Sequence, residues 1–348
     1  MTCAPTLEGY LSQWSGMDAD RLAAAKAVLG IAKAATQIAA IIRRGPLAGH
    51  LGAATGGSAS GDAQKALDVT ANTAVVAALT EAGVAAIASE ELDDVLVLDA
   101  RARVAVAVDP LDGSSNIDTN VSIGTIFSVI PVPTAAAGDA AKAFLQPGRT
   151  QLAAGYVIYG PNVAMALTVG EGSLIFTLDP ETQAFVQSGS AITIALESRE
   201  YAINASNYRH WSEATRAYVD DCIAGTDGPR GVDFNMRWIA SLVAEAHRIL
   251  VRGGVFLYPR DARKGYGRGR LRLIYEASPI AFLIEQAGGR AIDGSTRILD
   301  LVPAAIHDRA PLIFGSAGEV DRIARYKAEA SSLYERSPLF GRRGLLKT

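Results

Sequence analysis

Residues 103–118 read RVAVAVDPLDGSSNID, and everything else in the chain is arranged around this stretch. Val104–Val108 is a run of small and β-branched apolar residues, the mark of a strand buried on both faces. Asp109 ends that run, Pro110 stops it, and Asp112-Gly113 turns the chain. Two carboxylates three residues apart at a strand end can converge on one cation, with the Leu111 carbonyl between them as a third oxygen. Hard cations such as magnesium take an oxygen shell of this kind and keep positions open for a substrate phosphate. The next residues, Gly113, Ser114, Ser115 and Asn116, are small enough for backbone N–H groups to approach an anion closely. A lone DxxD is more often an ordinary polar turn. Metal ligands and a phosphate cradle in one ten-residue segment weigh for function.

Working upstream, Ser89-Glu90-Glu91 follows an apolar run at 84–88, so more acids lie at a strand end, where α/β folds place their sites. Asp62 and Asp68 bracket the start of a helix expected over 63–82 and ending at Gly83. Before it lies GPLAGHLGAATGGSASG, residues 45–61, with six glycines. It cannot bury a core and reads as a mobile loop, either a linker or a lid. Asp18 caps a helix expected over 20–44, with Arg43 and Arg44 in its last turn. Strands are expected at 84–88, 95–99, 103–109 and 123–130, and antiparallel hairpins between 151 and 179. After about 190 the pattern gives helices at 212–223 and 235–251, strands at 255–258 and 271–275, and a helix capped by Ser278 with Pro279 at its first position. The class is α/β with layers. The expected division is an N-terminal domain 1–190, a C-terminal domain 191–335 and a tail 336–348.

The chain has 348 residues, 33 Lys+Arg, 36 Asp+Glu and a net charge of -3. A slightly acidic total argues against a nucleic-acid partner. Two cysteines, Cys3 and Cys222, exclude a disulfide scaffold and fit a reducing, cytoplasmic setting. The N-terminus lacks a signal peptide's basic and apolar regions, and Lys26 and Lys33 interrupt the most apolar stretch, so no membrane association is expected. The charges are unevenly distributed. Residues 62–118 hold 11 acids against three bases, whereas residues 230–272 hold ten bases against three acids. One region suits cations and the other phosphate. The four histidines are scattered, so a Ser-His hydrolase triad has little support.

At this point the residues resemble a known family. DPLDGSSNID at 109–118 looks like the metal and phosphate signature of class I fructose-1,6-bisphosphatase, and GRLRLIYEASPIAF at 269–282 is similar to its second signature. SEE at 89–91 and GGVFLYP at 253–259 fit in order, and the resemblance runs from about 20 to 330. It implies an αβαβα sugar-phosphatase fold and hydrolysis of the 1-phosphate of fructose 1,6-bisphosphate by metal-activated water. It also implies two or more Mg2+ per subunit, with Mn2+ a possible substitute, and a homotetramer.

Carried over by position, the resemblance makes Glu90, Glu91, Asp109, Asp112, Glu276 and the Leu111 carbonyl metal ligands. Asp68 and Glu91 would activate the water, and Asp62 would act from a mobile loop. Asp112, Gly113, Ser114 and Ser115 would hold the phosphate being cleaved. Asn204, Tyr208, Arg237, Tyr258 and Arg270 would hold the distal one, Arg237 reaching in from the neighbouring subunit. Arg272 would contact the sugar.

Three departures touch the sugar side. The family's Asn-Glu-Gly is here Asn204-Ala205-Ser206, its Lys at 270 is Arg, and its Tyr at 238 is Trp. Arg keeps the charge but changes the geometry, and an indole cannot accept a hydrogen bond. Sedoheptulose-1,7-bisphosphatase activity, alone or together with the first, is therefore the rival within enzymes. A catalytically inactive metal- and phosphate-binding regulator is the rival of another class, opposed by the presence of Glu91, Asp68 and Glu276. Relatives that bind AMP carry a Gly-Thr-Gly-Glu turn between their first two helices. Residues 29–37, LGIAKAATQ, lack it, so AMP is expected to inhibit weakly or not at all. Gly265–Gly269 reads as a flexible turn.

Overall fold

The computed structural model describes residues 4–57, 63–133 and 139–328. Asp62, Cys3 and the expected tail at 336–348 lie outside the described residues. The helices are α1 (Leu7–Ser15), α2 (Ala19–Arg44), α3 (Ala66–Ala82), α4 (Glu213–Ala224), α5 (Leu242–Arg252), α6 (Ser278–Gln286) and α7 (Ala317–Ala328). The strands of the first half are β1 (Ala54–Gly57), β2 (Ala63–Lys65), β3 (Ala86–Ser89), β4 (Leu96–Val97), β5 (Val104–Asp112), β6 (Ile123–Pro131), β7 (Ala153–Tyr159), β8 (Val163–Thr168), β9 (Ser173–Leu178) and β10 (Phe185–Gln187). Those of the second half are β11 (Glu200–Ile203), β12 (Asn235–Met236), β13 (Val255–Tyr258), β14 (Leu271–Arg272), β15 (Arg290–Ile292), β16 (Arg309–Ala310) and β17 (Leu312–Gly315).

Two sheets carry the fold. The larger runs β10-β9-β8-β7-β6-β5-β3-β4 and the smaller β12-β11-β13-β17-β15. In the larger sheet β3 and β5 are parallel, which brings Ser89 opposite Val108 and sets both strand ends side by side. Side-chain alternation then dictates the layers. Phe127 and Val129 of β6 pack with Val28, Ile31 and Ile38 of α2 and Val75 of α3. Their neighbour Ile126 points the other way, into a core shared with Val243 of α5, Ile280 of α6 and Phe256 of β13. Val255 and Leu257 face a third core with Tyr218 of α4 and Val320 of α7. The order is helices, sheet, helices, sheet, helices: the expected αβαβα stack.

The helix α2 has the length and apolarity of a membrane span, but half of that stretch is buried inside the protein. Its apolar residues recur at helical spacing against the sheet, and Lys26 and Lys33 are exposed. It is a core helix. Asp18 caps it as expected, accepting from the Asp20 and Arg21 N–H groups at 2.9 Å.

Four sequence expectations need correction. Strand β5 does not end at Asp109 but continues to Asp112 through a bulge against β6, because an irregular pairing lets the ladder pass Pro110. Within 45–61, residues 45–48 form a 3-10 turn and 54–57 pair with β2, so this part is not structureless. The helix expected from 235 begins at Leu242, because Ser241 is its cap and its hydroxyl accepts the Ala244 N–H. Residues 273–277 are helical rather than strand, so Ser278 lies inside a continuous helical run instead of capping it.

Candidate active site

The parallel pair β3/β5 and the helical run entered at Leu273 deliver acids to one place. Carboxylate oxygens of Asp109, Asp112 and Glu276 lie within 4.8 Å of one another, and all three residues are buried. Each is held from behind. Asp109 accepts the Leu111 N–H at 3.0 Å. Asp112 accepts the Val243 N–H at 3.0 Å, at the positive end of α5. Glu276 accepts the Arg272 N–H. Thr125 Oγ1 donates to the Pro110 carbonyl at 2.9 Å and pairs with the Tyr159 hydroxyl at 2.8 Å. These bonds anchor the bulge that carries Leu111.

Burial raises the pKa of Asp109 and Glu276 well above the usual carboxylate range, and the neighbouring acid charges push the same way. Burial likewise lifts Asp112 to about 6. Glu90, at the end of β3, hydrogen-bonds Asp109 and is pushed by burial up to about 7, against the pull of Arg272. A buried oxygen-only cluster of like charges is poorly stable by itself and well suited to a hard divalent cation. Glu91 follows Glu90, and its N–H reaches Ser89 Oγ at 3.3 Å.

Asp68 enters from α3. One carboxylate oxygen accepts the Lys65 N–H at 2.7 Å. The other, Oδ1, is buried without a protein hydrogen bond. Burial first, then the charge of Glu91, raises its pKa to about 6. Asp68 thus keeps one buried oxygen free of protein partners. Gly113 adopts φ 78, in the left-handed region, and opens the 3-10 turn that carries Ser114 and Ser115. A side chain there would be strained, and Asn116 ties the turn down by donating to the Ala240 carbonyl at 2.9 Å.

Of the residues expected at the distal phosphate, Asn204, Tyr258 and Arg270 line one pocket together with Asn207, Arg263 and Tyr266. Arg272 is turned away, its guanidinium buried 3.5 Å from Glu90. Tyr208 instead donates its hydroxyl to Asp220 at 2.9 Å, and Arg237 lies 3.6 Å from Glu200. Neither lines that pocket.

The family described as "Fructose-1-6-bisphosphatase, N-terminal domain" matches residues 19–190, and "Fructose-1-6-bisphosphatase, C-terminal domain" matches 194–328. The chain belongs to the class 1 fructose-1,6-bisphosphatase family. It is 54% identical over 345 residues to a "Fructose-1,6-bisphosphatase class 1" of Rhizobium meliloti, covering 98% of this chain and 99% of the relative. A relative of the same name from Azorhizobium caulinodans is 55% identical over 323 residues, 92% of this chain and 98% of the relative. Among solved structures, Leishmania major fructose-1,6-bisphosphatase in holo form superposes with a TM-score of 0.87 at 34% identity, covering 93% of this chain and 99% of that one.

Within this member of the family, sequence reasoning missed several supports. Thr125 and Tyr159 gave no signal, because they act through a carbonyl that a bulge exposes. Ser241 was legible as a cap once α5 was started in the right place. Tyr266 stood in a glycine-rich run that reads as a turn. Residues 29–37 do not form the turn between the first two helices. The turn between α1 and α2 is at Gly16–Asp18, whereas 29–37 lies inside α2. The turn reads Gly-Met-Asp, and Asp20 beside it pairs with Arg103 at 2.9 Å.

Proposed function

We propose that this chain hydrolyses the 1-phosphate of fructose 1,6-bisphosphate, the reaction that names its family, with Mg2+ held by Asp109, Asp112, Glu276, Glu90, Glu91 and the Leu111 carbonyl. The convergence of three buried carboxylates beside the Gly113 turn carries this reading. When bound, such cations lower the pKa of a water and neutralise charge on the phosphoryl group. The chain's residues do the rest. Asp68, with Glu91 beside it, takes the proton of the attacking water through its unpartnered Oδ1. The backbone at Gly113–Ser115 holds the phosphate oxygens in line with that water, and such positioning supplies most of the catalysis of a loose transition state.

The second phosphate is held, not cleaved, by Asn204, Tyr258 and Arg270, so binding energy there orients the sugar. Tyr208 and Arg237 face elsewhere within one subunit, which supports a homotetramer in which Arg237 serves the neighbour. The metal half, 1–190, and the sugar half, 191–335, meet at Glu276 and Arg272. A cytoplasmic location fits this chemistry. Phosphate release by purified protein, with and without Mg2+, tests the reading. Fructose 1,6-bisphosphate should exceed fructose 1-phosphate in kcat/KM, and equal values would overturn the distal clamp. Faster release from sedoheptulose 1,7-bisphosphate would reassign the sugar.

A further inference from the structure

Residues 261–270 read DARKGYGRGR, and the glycines suggest a turn with no job. The structure shows a chain of contacts instead. Arg263 is ion-paired with Asp261 through Nε and Nη2, and the Arg263 N–H also donates to the Asp261 carboxylate at 2.9 Å. The Arg263 guanidinium lies 4.1 Å from the centre of the Tyr266 ring. The Arg270 guanidinium lies 4.7 Å from the same ring, and its Nη1 donates to the Tyr266 hydroxyl at 2.6 Å.

The backbone secures this arrangement. The Tyr266 N–H donates to the Arg263 carbonyl at 3.0 Å, and the Tyr266 carbonyl accepts from Gly269 at 3.0 Å. Gly269 itself has φ 83, and a Cβ there would meet the Pro311 nitrogen at 2.2 Å. Only glycine lets the chain pass this close to β16 and turn Arg270 back toward Tyr258.

We propose that Tyr266 is the positioning residue for Arg270 in the distal-phosphate pocket. Arg270 is an exposed side chain with many rotamers, and a free arginine gives up much of its entropy on binding a phosphate. The Tyr266 ring, itself in contact with the Asp261-paired Arg263, removes that cost beforehand. It holds the guanidinium beside Asn204 and Tyr258 with donors left over for phosphate oxygens. Asp261 neutralises Arg263, so Arg263 steadies the ring while Arg270 supplies the net positive charge. The pocket therefore selects a sugar with a second phosphate by pre-organisation, and the apparent turn sets substrate preference.

The inference rests on the distal-phosphate reading above, and the experiment separates the two. Tyr266→Ala, Tyr266→Phe and Arg270→Ala are compared on fructose 1,6-bisphosphate and fructose 1-phosphate, and by calorimetric binding of fructose 6-phosphate. For Tyr266→Ala the ratio of the two kcat/KM values should fall about tenfold, through KM of the bisphosphate, and fructose 6-phosphate should bind about tenfold more weakly. Tyr266→Phe, which keeps the ring and loses one hydrogen bond, should fall between wild type and Tyr266→Ala. General damage to the fold would lower both substrates together and leave the ratio intact. An unchanged ratio and affinity in Tyr266→Ala, with Arg270→Ala impaired, would overturn the role of Tyr266. An unchanged ratio and affinity in Arg270→Ala as well would overturn the distal-phosphate reading itself.

Discussion

In the mechanism proposed above, Asp68 and Glu91 divide the work of one base. Asp68 offers a buried, unpartnered oxygen and a pKa raised to about 6, while Glu91 stands close enough for its charge to be felt there. Glu91→Gln should cut kcat by about 100-fold or more with an unchanged melting temperature, read from steady-state turnover and thermal unfolding. Near-normal turnover would remove Glu91 from the mechanism. The acids around them set a pH response of the metal-free chain. Burial raises Asp112 to about 6 and Glu90 to about 7, above their values in an unfolded chain. Their contribution to stability is therefore fully present below about pH 4 and is lost as pH rises through 6 to 7. A divalent cation relieves the repulsion that ionisation creates. The rise in melting temperature on adding Mg2+ should therefore grow from about pH 5.5 to about pH 8, as thermal scans at fixed ionic strength would show.

Among elements, the bulge in β5 and the helical turn at 273–277 are the two that sequence pattern reads least well. The bulge leaves Pro110 and Leu111 outside the regular pairing, and Thr125 with Tyr159 holds it through the Pro110 carbonyl. Thr125→Val keeps the shape and removes the bond. It should destabilise the protein by about 1–3 kcal/mol and weaken metal binding, measured by denaturation and by Mn2+ or Mg2+ calorimetry. Unchanged metal affinity would show that the bulge holds itself. At α2, the Asp18 carboxylate already occupies the first N–H groups, and Asp20 engages Arg103. A helix start capped by carboxylates repels a phosphate, so AMP at low micromolar concentration should leave steady-state rates unchanged; clear inhibition would refute this. Long elements such as α2 and the β7–β9 hairpins were legible because their apolar periodicity and turn residues agree. The π-type turn at 273–277 was not, because LRLIYEA alternates like a strand, and only packing against β5 and β6 makes it helical.

For the whole molecule, the homotetramer proposed above is tested at Arg237. Arg237 lies on the edge strand region beside β12, held near Glu200, and does not line its own subunit's distal pocket. If it serves a neighbour, mixing Glu91→Gln subunits with Arg237→Ala subunits should restore activity at low substrate above the sum of the two parents. Hybrids no better than that sum would place Arg237 in its own subunit. By itself the sequence determined the family and the layered fold, and singled out acids that the structure gathers in one cluster, because DPLDG, SEE and YEASP concentrate chemistry that few local structures can hold. It also showed the split between an acidic region and a basic one. Tertiary structure alone decided what supports those residues. The bulge anchors and the helix start behind Asp112 act between segments far apart in the chain, and a contact of that kind leaves no pattern in local spacing.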